Sequence, residues 1–268
     1  MRTRSTLRWT ALALLVLLPF VAGCGSSSRN PLGPGTSDLT QSEANDIALQ
    51  TAFVMDYVGF DVEAAGSSMS SSSRMPTLAD RLMPLGARWD TTVTVGGLTV
   101  AVSRRFYDAE GTELADFGPD VARMNWRSDI RGTVETPRDT ATVAHHSNYD
   151  FTGLQEADSQ AVVNGACADT LLNTFRSLDG EFARHAWWRS ALTVANVGVR
   201  KSDGHPVSGT LTLTVRVDVL NSSDQGDVAK RLVAVVVITF NGTSQPDVVV
   251  NGRYHYKWIM DEGTMVPV

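Results

Sequence analysis

From position 87 onward the chain alternates apolar and polar residues. Leu98, Val100 and Val102 alternate with Thr99, Ala101 and Ser103, and Met124, Trp126 and Ile130 share a face against Arg123, Asn125, Arg127, Asp129 and Arg131. Leu211, Leu213, Val215, Val217 and Val219 oppose Thr210, Thr212, Thr214, Arg216 and Asp218, and Tyr254, Tyr256 and Trp258 oppose Arg253, His255 and Lys257. A period of two predicts strands with one dry and one wet face. Leu232 to Phe240 are apolar on both faces, which predicts a central strand covered on both sides. Turn signals separate these runs: Gly96-Gly97, Asp108 to Gly111, Asn164-Gly165, Asp179-Gly180, Asp203-Gly204, Asn221 to Gly226 and Asn251-Gly252. Short connections force antiparallel neighbours, and no helix-length insertion separates the strands. The pattern predicts about nine or ten strands, several of them near ten residues and so longer than usual.

Upstream the period changes to that of a helix. Ala44, Ile47, Ala48, Thr51, Val54, Met55 and Val58 form one stripe, Thr40 and Glu43 have capping-box spacing, and Gly59 is a stop. The polar face has Glu43, Asp46 and Asp56 and no Lys or Arg, which fits a helix covering a sheet better than one lying on a membrane. The predicted fold is therefore mainly β: a long-stranded antiparallel meander, as a curved sheet or an unclosed barrel, with one N-terminal amphipathic helix (about 40–58) packed on it. Residues 66–76 read as a mobile loop, 77–83 as a short helical piece ended by Pro84, and strands start at about 88.

The N-terminus has a different logic. Arg2, Arg4 and Arg8 precede an apolar run from Thr10 to Phe20, too short to span a bilayer but of signal-peptide length, and Val21-Ala22-Gly23-Cys24 follows. This segment resembles the bacterial lipobox. The resemblance implies a signal peptide over 1–23, cleavage between Gly23 and Cys24, and a diacylglycerol thioether, usually with an N-acyl chain, on Cys24. It covers residues 1–24 only. Two or more acyl chains anchor stably where one is marginal. Gly25, where an Asp commonly signals inner-membrane retention, favours outer-membrane delivery in a diderm cell. Residues 24–37 then form the lipidated Cys and a Gly/Ser/Pro tether, and 38–268 a single β-rich domain.

Removing a segment with three Arg and no acid leaves 245 of 268 residues and takes the formal net charge from −6 to −9. That charge argues against nucleic acid as a partner. With Cys24 acylated, Cys167 is the one remaining cysteine, so no intrachain disulfide forms; it reads as a small buried hydrophobe or a thiol for intermolecular pairing.

Candidate chemistry is sparse. There is no HExxH, GxSxG, SxxK, GxxxxGK or EF-hand loop, and no cofactor is expected. A metal site drawn from His145, His146 and His185 with Asp150 needs converging ligands. Yet His145 and His146 are adjacent on a strand and point to opposite faces. A nucleophile would pair Cys167 with one of the five histidines, but Ala166 and Ala168 flank it and no cation lies nearby in sequence. In Trp187-Trp188 one ring enters the core and the other faces out, where it could stack on a sugar or anchor a partner.

The whole chain resembles bacterial envelope lipoproteins that join a lipobox, a Ser-rich tether and a β-meander. Three readings follow. The first is a non-catalytic binding or structural domain held at the envelope by lipid, with a protein, glycan or lipid partner. The second is a carrier of lipid or another apolar ligand, since the layout resembles the lipoprotein-carrier fold; it needs more apolar concave surface than the core consumes. The third is a hydrolase or metal enzyme using scattered residues, which needs some of His145, His146, His185 and Asp150 to converge in a pocket.

Overall fold

The computed structural model describes residues 39–49, 51, 52, 54, 55, 89–95, 97–136, 139–155, 158–176, 182–202, 204–223 and 226–268. The expected signal segment 1–23, Cys24, the tether to 37, Val58, Gly59, the loop 66–76 and the helical piece 77–83 lie outside these residues.

The fold is mainly β. Twelve described strands form one antiparallel sheet: β1 (Trp89–Val95), β2 (Leu98–Tyr107), β3 (Glu113–Leu114), β4 (Arg123–Glu135), β5 (Asp139–Thr152), β6 (Gln160–Arg176), β7 (Phe182–Arg200), β8 (Pro206–Ser223), β9 (Gly226–Thr239), β10 (Asp247–Val250), β11 (Tyr254–Ile259) and β12 (Thr264–Pro267). Spatial order follows chain order from β1 to β12, except that β3 is a short side partner of β2. β1 and β12 end the path without pairing to each other, so the sheet is not closed.

β6, β7 and β8 run 17, 19 and 18 residues, well beyond the usual five or six. A line of irregularities crosses them. Asn164-Gly165, expected as a turn, lies inside β6 at a register shift, because Gly165 takes φ +150° and its place against β5 leaves no room for a side chain. A Cβ there would meet the Asn148 carbonyl oxygen at 2.2 Å. On β7 the register shifts between Ala195 and Gly198, Asn196 adopts φ +50°, and its N–H donates to Asn164 Oδ1 at 2.8 Å. Gly209 on β8 closes the line at φ +96°, its would-be Cβ 2.3 Å from the Asn196 carbonyl oxygen. Bulges bend strands and raise local twist, which long strands need if they are to wrap a core.

Period two decides what lies inside. Phe106, Met124, Trp126, Tyr149, Phe151, Leu192, Leu213, Val236, Ile238 and Tyr256 are all at most 2% exposed, while their odd-phase neighbours face outward. Side chains of this size contribute about 1.5–3 kcal/mol each when fully buried. One expectation fails. The second apolar face of β9 is not covered, because Val233 and Val235 are 44% and 42% exposed on the outer side. Their neighbours across the strand, Arg216 and Thr214, belong to the wet face of β8.

The helix, α1, spans residues 41–55 with positions 50 and 53 outside the description. Its start is the predicted capping box: the Thr40 N–H donates to Glu43 Oε2 (2.7 Å) and the Glu43 N–H to Thr40 Oγ1 (3.3 Å). The stripe Ala44, Ile47, Ala48, Thr51, Val54 and Met55 is buried, and Thr51 satisfies its hydroxyl on the Ile47 carbonyl at 2.8 Å. Polar contacts fasten the helix to the last strands. Tyr256 donates to Asn45 Oδ1 (2.8 Å) and accepts from Gln41 (3.2 Å), Tyr254 donates to the Leu39 carbonyl, and Lys230 pairs with Glu43 at 2.6 Å. Burial raises the Glu43 carboxyl, but hydrogen bonds from Lys230 and Thr40 outweigh that and hold it below its ordinary value.

Candidate functional site

The inner face of β4–β7 interrupts its own apolar pattern. Strand register aligns Ser128 with Ser147 and Ser147 with Cys167, and in the adjacent row Ile130 with His145, His145 with Asp169 and Asp169 with Ser190. Alternation then puts His145, Ser147, Cys167, Asp169 and Ser190 on the inside together. His145, Ser147, Cys167 and Ser190 are buried and the Asp169 side chain is 13% exposed.

Asp169 is the hub. Its Oδ1 lies 2.6 Å from His145 Nδ1, and its Oδ2 accepts from Ser190 Oγ at 3.0 Å and from the Cys167 thiol at 3.8 Å. Ser128 and Ser147 share a hydrogen bond at 2.8 Å in the next row. A carboxylate taken from water is costly unless paired and hydrogen-bonded, and three donors on one carboxylate meet that requirement. Trp188, two residues before Ser190 on β7, is 5% exposed, and across from it Leu171 packs against the core. Arg104 is buried on the same face of β2, opposite Trp126 and 5.2 Å from the Phe106 ring; burial brings its guanidinium down to about 10.

The histidines expected to converge do not. His145 faces in. His146 faces out, 62% exposed, with Nδ1 3.5 Å from Asp129. Asp150 lies 3.9 Å from Arg123 and accepts from Asn125 at 3.3 Å. His185 is on the outer side of β7, 3.2 Å from Thr174 Oγ1 and stacked on Trp187 with ring centroids 5.9 Å apart. Strand alternation separates His145 from the other three, and register separates those: His185 aligns through Thr174 with Thr140, six positions along β5 from His146 and ten from Asp150, so the four do not form one site. The tryptophan pair divides as expected, Trp188 buried and Trp187 half-buried outside.

What the sequence did not reveal is that His145 meets Cys167 and Asp169. Those partners sit 22 and 24 residues away, across a β5–β6 connection that has no Asn-Gly or Asp-Gly pair to fix the register. The three side chains offer an imidazole nitrogen, a sulfur and a carboxylate oxygen, all within 4.8 Å of one another. As a nucleophilic arrangement the cluster is poor, because a carboxylate beside the sulfur works against thiolate formation.

The outer face carries an open cleft of about 350 Å³ beside the β1 edge. The small side chains Ala101 and Ser103 leave the space, and Asp90, Arg127, Asp129 and His146 surround it. It is open and of mixed charge, at the small end of ligand-sized clefts. No protein-family model, curated protein or solved structure matches the chain.

Proposed function

We propose that this protein is a lipid-anchored domain of the bacterial cell envelope with a non-catalytic binding or structural role. Cys24 is the lipid attachment residue, the segment to position 37 is the tether, and the outer membrane is the destination in a diderm cell. The partner engages the outer face of the sheet, at the cleft beside β1.

One observation carries the reading. Among the described residues the inner face is largely filled: α1 and the inward residues of β2 and β4 to β11 belong to one buried cluster, with Val100, Leu171, Val219 and Leu232 partly buried against it. A carrier of lipid needs concave apolar surface left over, and among the described residues the cleft opens on the other face. The unclosed sheet with a helix on it is the layout the carrier reading expected, so the two are separated by occupancy.

Native mass spectrometry on the Cys24→Ser chain, produced in a lipid-containing host, makes that separation. A bare protein mass and no uptake of a fluorescent lipid are expected. Added mass that leaves on organic extraction would overturn the binding-domain reading in favour of the carrier. The anchor has its own test: palmitate labels the parent chain and not Cys24→Ser, and label persisting in the variant would refute the lipobox.

A further inference from the structure

We propose that His145, Cys167 and Asp169 form a binding site for one divalent ion of the zinc class. Such a site goes beyond the envelope role above and does not depend on it.

Donor chemistry comes first. Nitrogen, sulfur and carboxylate oxygen are the ligand set of zinc and its borderline-soft neighbours, whereas magnesium and calcium take oxygen alone. The three donors come from facing positions of two paired strands: His145 opposite Asp169, with Cys167 two residues along on the same face. Adjacent strands hold them at fixed spacing, and their donor atoms fall within 4.8 Å of one another.

Charge comes second. A thiolate and a carboxylate together neutralise a dication, so the loaded site carries no net charge inside an apolar face. Few other occupants of this buried position would meet that condition. The support around the ligands also fits. Ser190 on β7 donates to Asp169 Oδ2 at 3.0 Å and fixes the carboxylate plane from a third strand. Outer hydrogen bonds of this kind orient metal ligands and tune affinity.

In the metal-free state the His145–Asp169 contact of 2.6 Å is that of a hydrogen bond. Two ligands of one tetrahedral ion stand about 3.3 Å apart, given metal–ligand bonds of about 2.0–2.1 Å. Binding therefore spreads this pair by less than about 1 Å. The thiol proton leaves Cys167 for solvent, the imidazole proton of His145 moves from Nδ1 to Nε2 by exchange with solvent, bonds form from the ion to sulfur, Nδ1 and oxygen, and water fills the fourth position.

The test uses the full chain carrying Cys24→Ser, so that Cys167 is its one thiol. The protein is stripped with chelator and titrated with Co²⁺, then with Zn²⁺. One equivalent of Co²⁺ is expected to give visible bands of a four-coordinate ion and a near-ultraviolet sulfur-to-cobalt band, both abolished by Zn²⁺. Adding Cys167→Ser should remove the near-ultraviolet band. His145→Gln or Asp169→Asn should weaken cobalt binding at least tenfold, and His255→Gln, at an exposed position of β11, should leave it unchanged. Should Cys167→Ser fail to fold by circular dichroism, the His145 and Asp169 variants give the same reading. No near-ultraviolet band in the parent, its persistence in Cys167→Ser, or equal loss in His255→Gln would overturn the proposal.

Discussion

The Tyr256 hydroxyl donates to Asn45 Oδ1 across 211 positions of chain, at 2.8 Å, and so ties the second-last strand to the first helix. The same hydroxyl accepts from Gln41, and burial together with the neighbouring Tyr254 raises its ionisation above the ordinary phenol value. Tyr256→Phe keeps the ring in the core and deletes both bonds. The expected cost is about 1 kcal/mol in denaturant unfolding. Amides of residues 41–49 should exchange with solvent faster, while those of β6 and β7 hold their protection. Uniform loss of protection would show that helix and sheet unfold as one unit.

Asp218 gives the sheet a pH dependence of definite sign. Burial raises its carboxyl, but hydrogen bonds from Arg231 (2.5 Å) and Arg216 (2.9 Å) outweigh that and hold it below its ordinary value. A carboxyl lowered on folding contributes stability above its unfolded value near pH 4, and that contribution is lost as pH falls through the folded value. Asp218→Asn should therefore lower the melting temperature at neutral pH and converge with the parent once pH falls below the folded value. Parallel curves across the acid range would refute the assignment.

The outer valines of β9 are expected to matter little for stability. With Val233 and Val235 more than two-fifths exposed, replacing both by Thr keeps the β-branched shape and removes no packed volume. The change in unfolding free energy should stay within about 0.5 kcal/mol, the usual range for surface sites. A loss of more than about 2 kcal/mol, at the level of a core truncation, would mean that another part of the molecule covers this face.

These residues also show where sequence reading succeeds and fails. Alternation at Leu211 to Val219 is self-explanatory, because each apolar side chain has one place to go. The capping box Thr40–Glu43 and the stripe from Ala44 to Met55 are equally local, and both stand as read. β9 misled because Val suits an extended backbone even when exposed, so an apolar residue there does not report burial. Asn164-Gly165 misled because a glycine at positive φ serves a bulge as well as a turn. The His145 cluster was hidden for another reason. Its members are ordinary one by one, and only the pairing register between β5 and β6 brings them together.

The place where α1 meets the sheet also sets a direction. Leu39 and Thr40, where the described chain begins, lie against Tyr254 and next to the contact with Tyr256. If Cys24 carries lipid as proposed, fifteen residues along the chain lead from it to that contact, about 50 Å when fully stretched. On that proposal the tether enters the domain at β11, and not at β1, the other end of the strand order, where the cleft lies. A pull on such a leash would reach the sheet through the hydrogen bonds that Leu39, Gln41 and Asn45 make with the two tyrosines, so the membrane would load the helix–sheet seam before the ladder between the long strands.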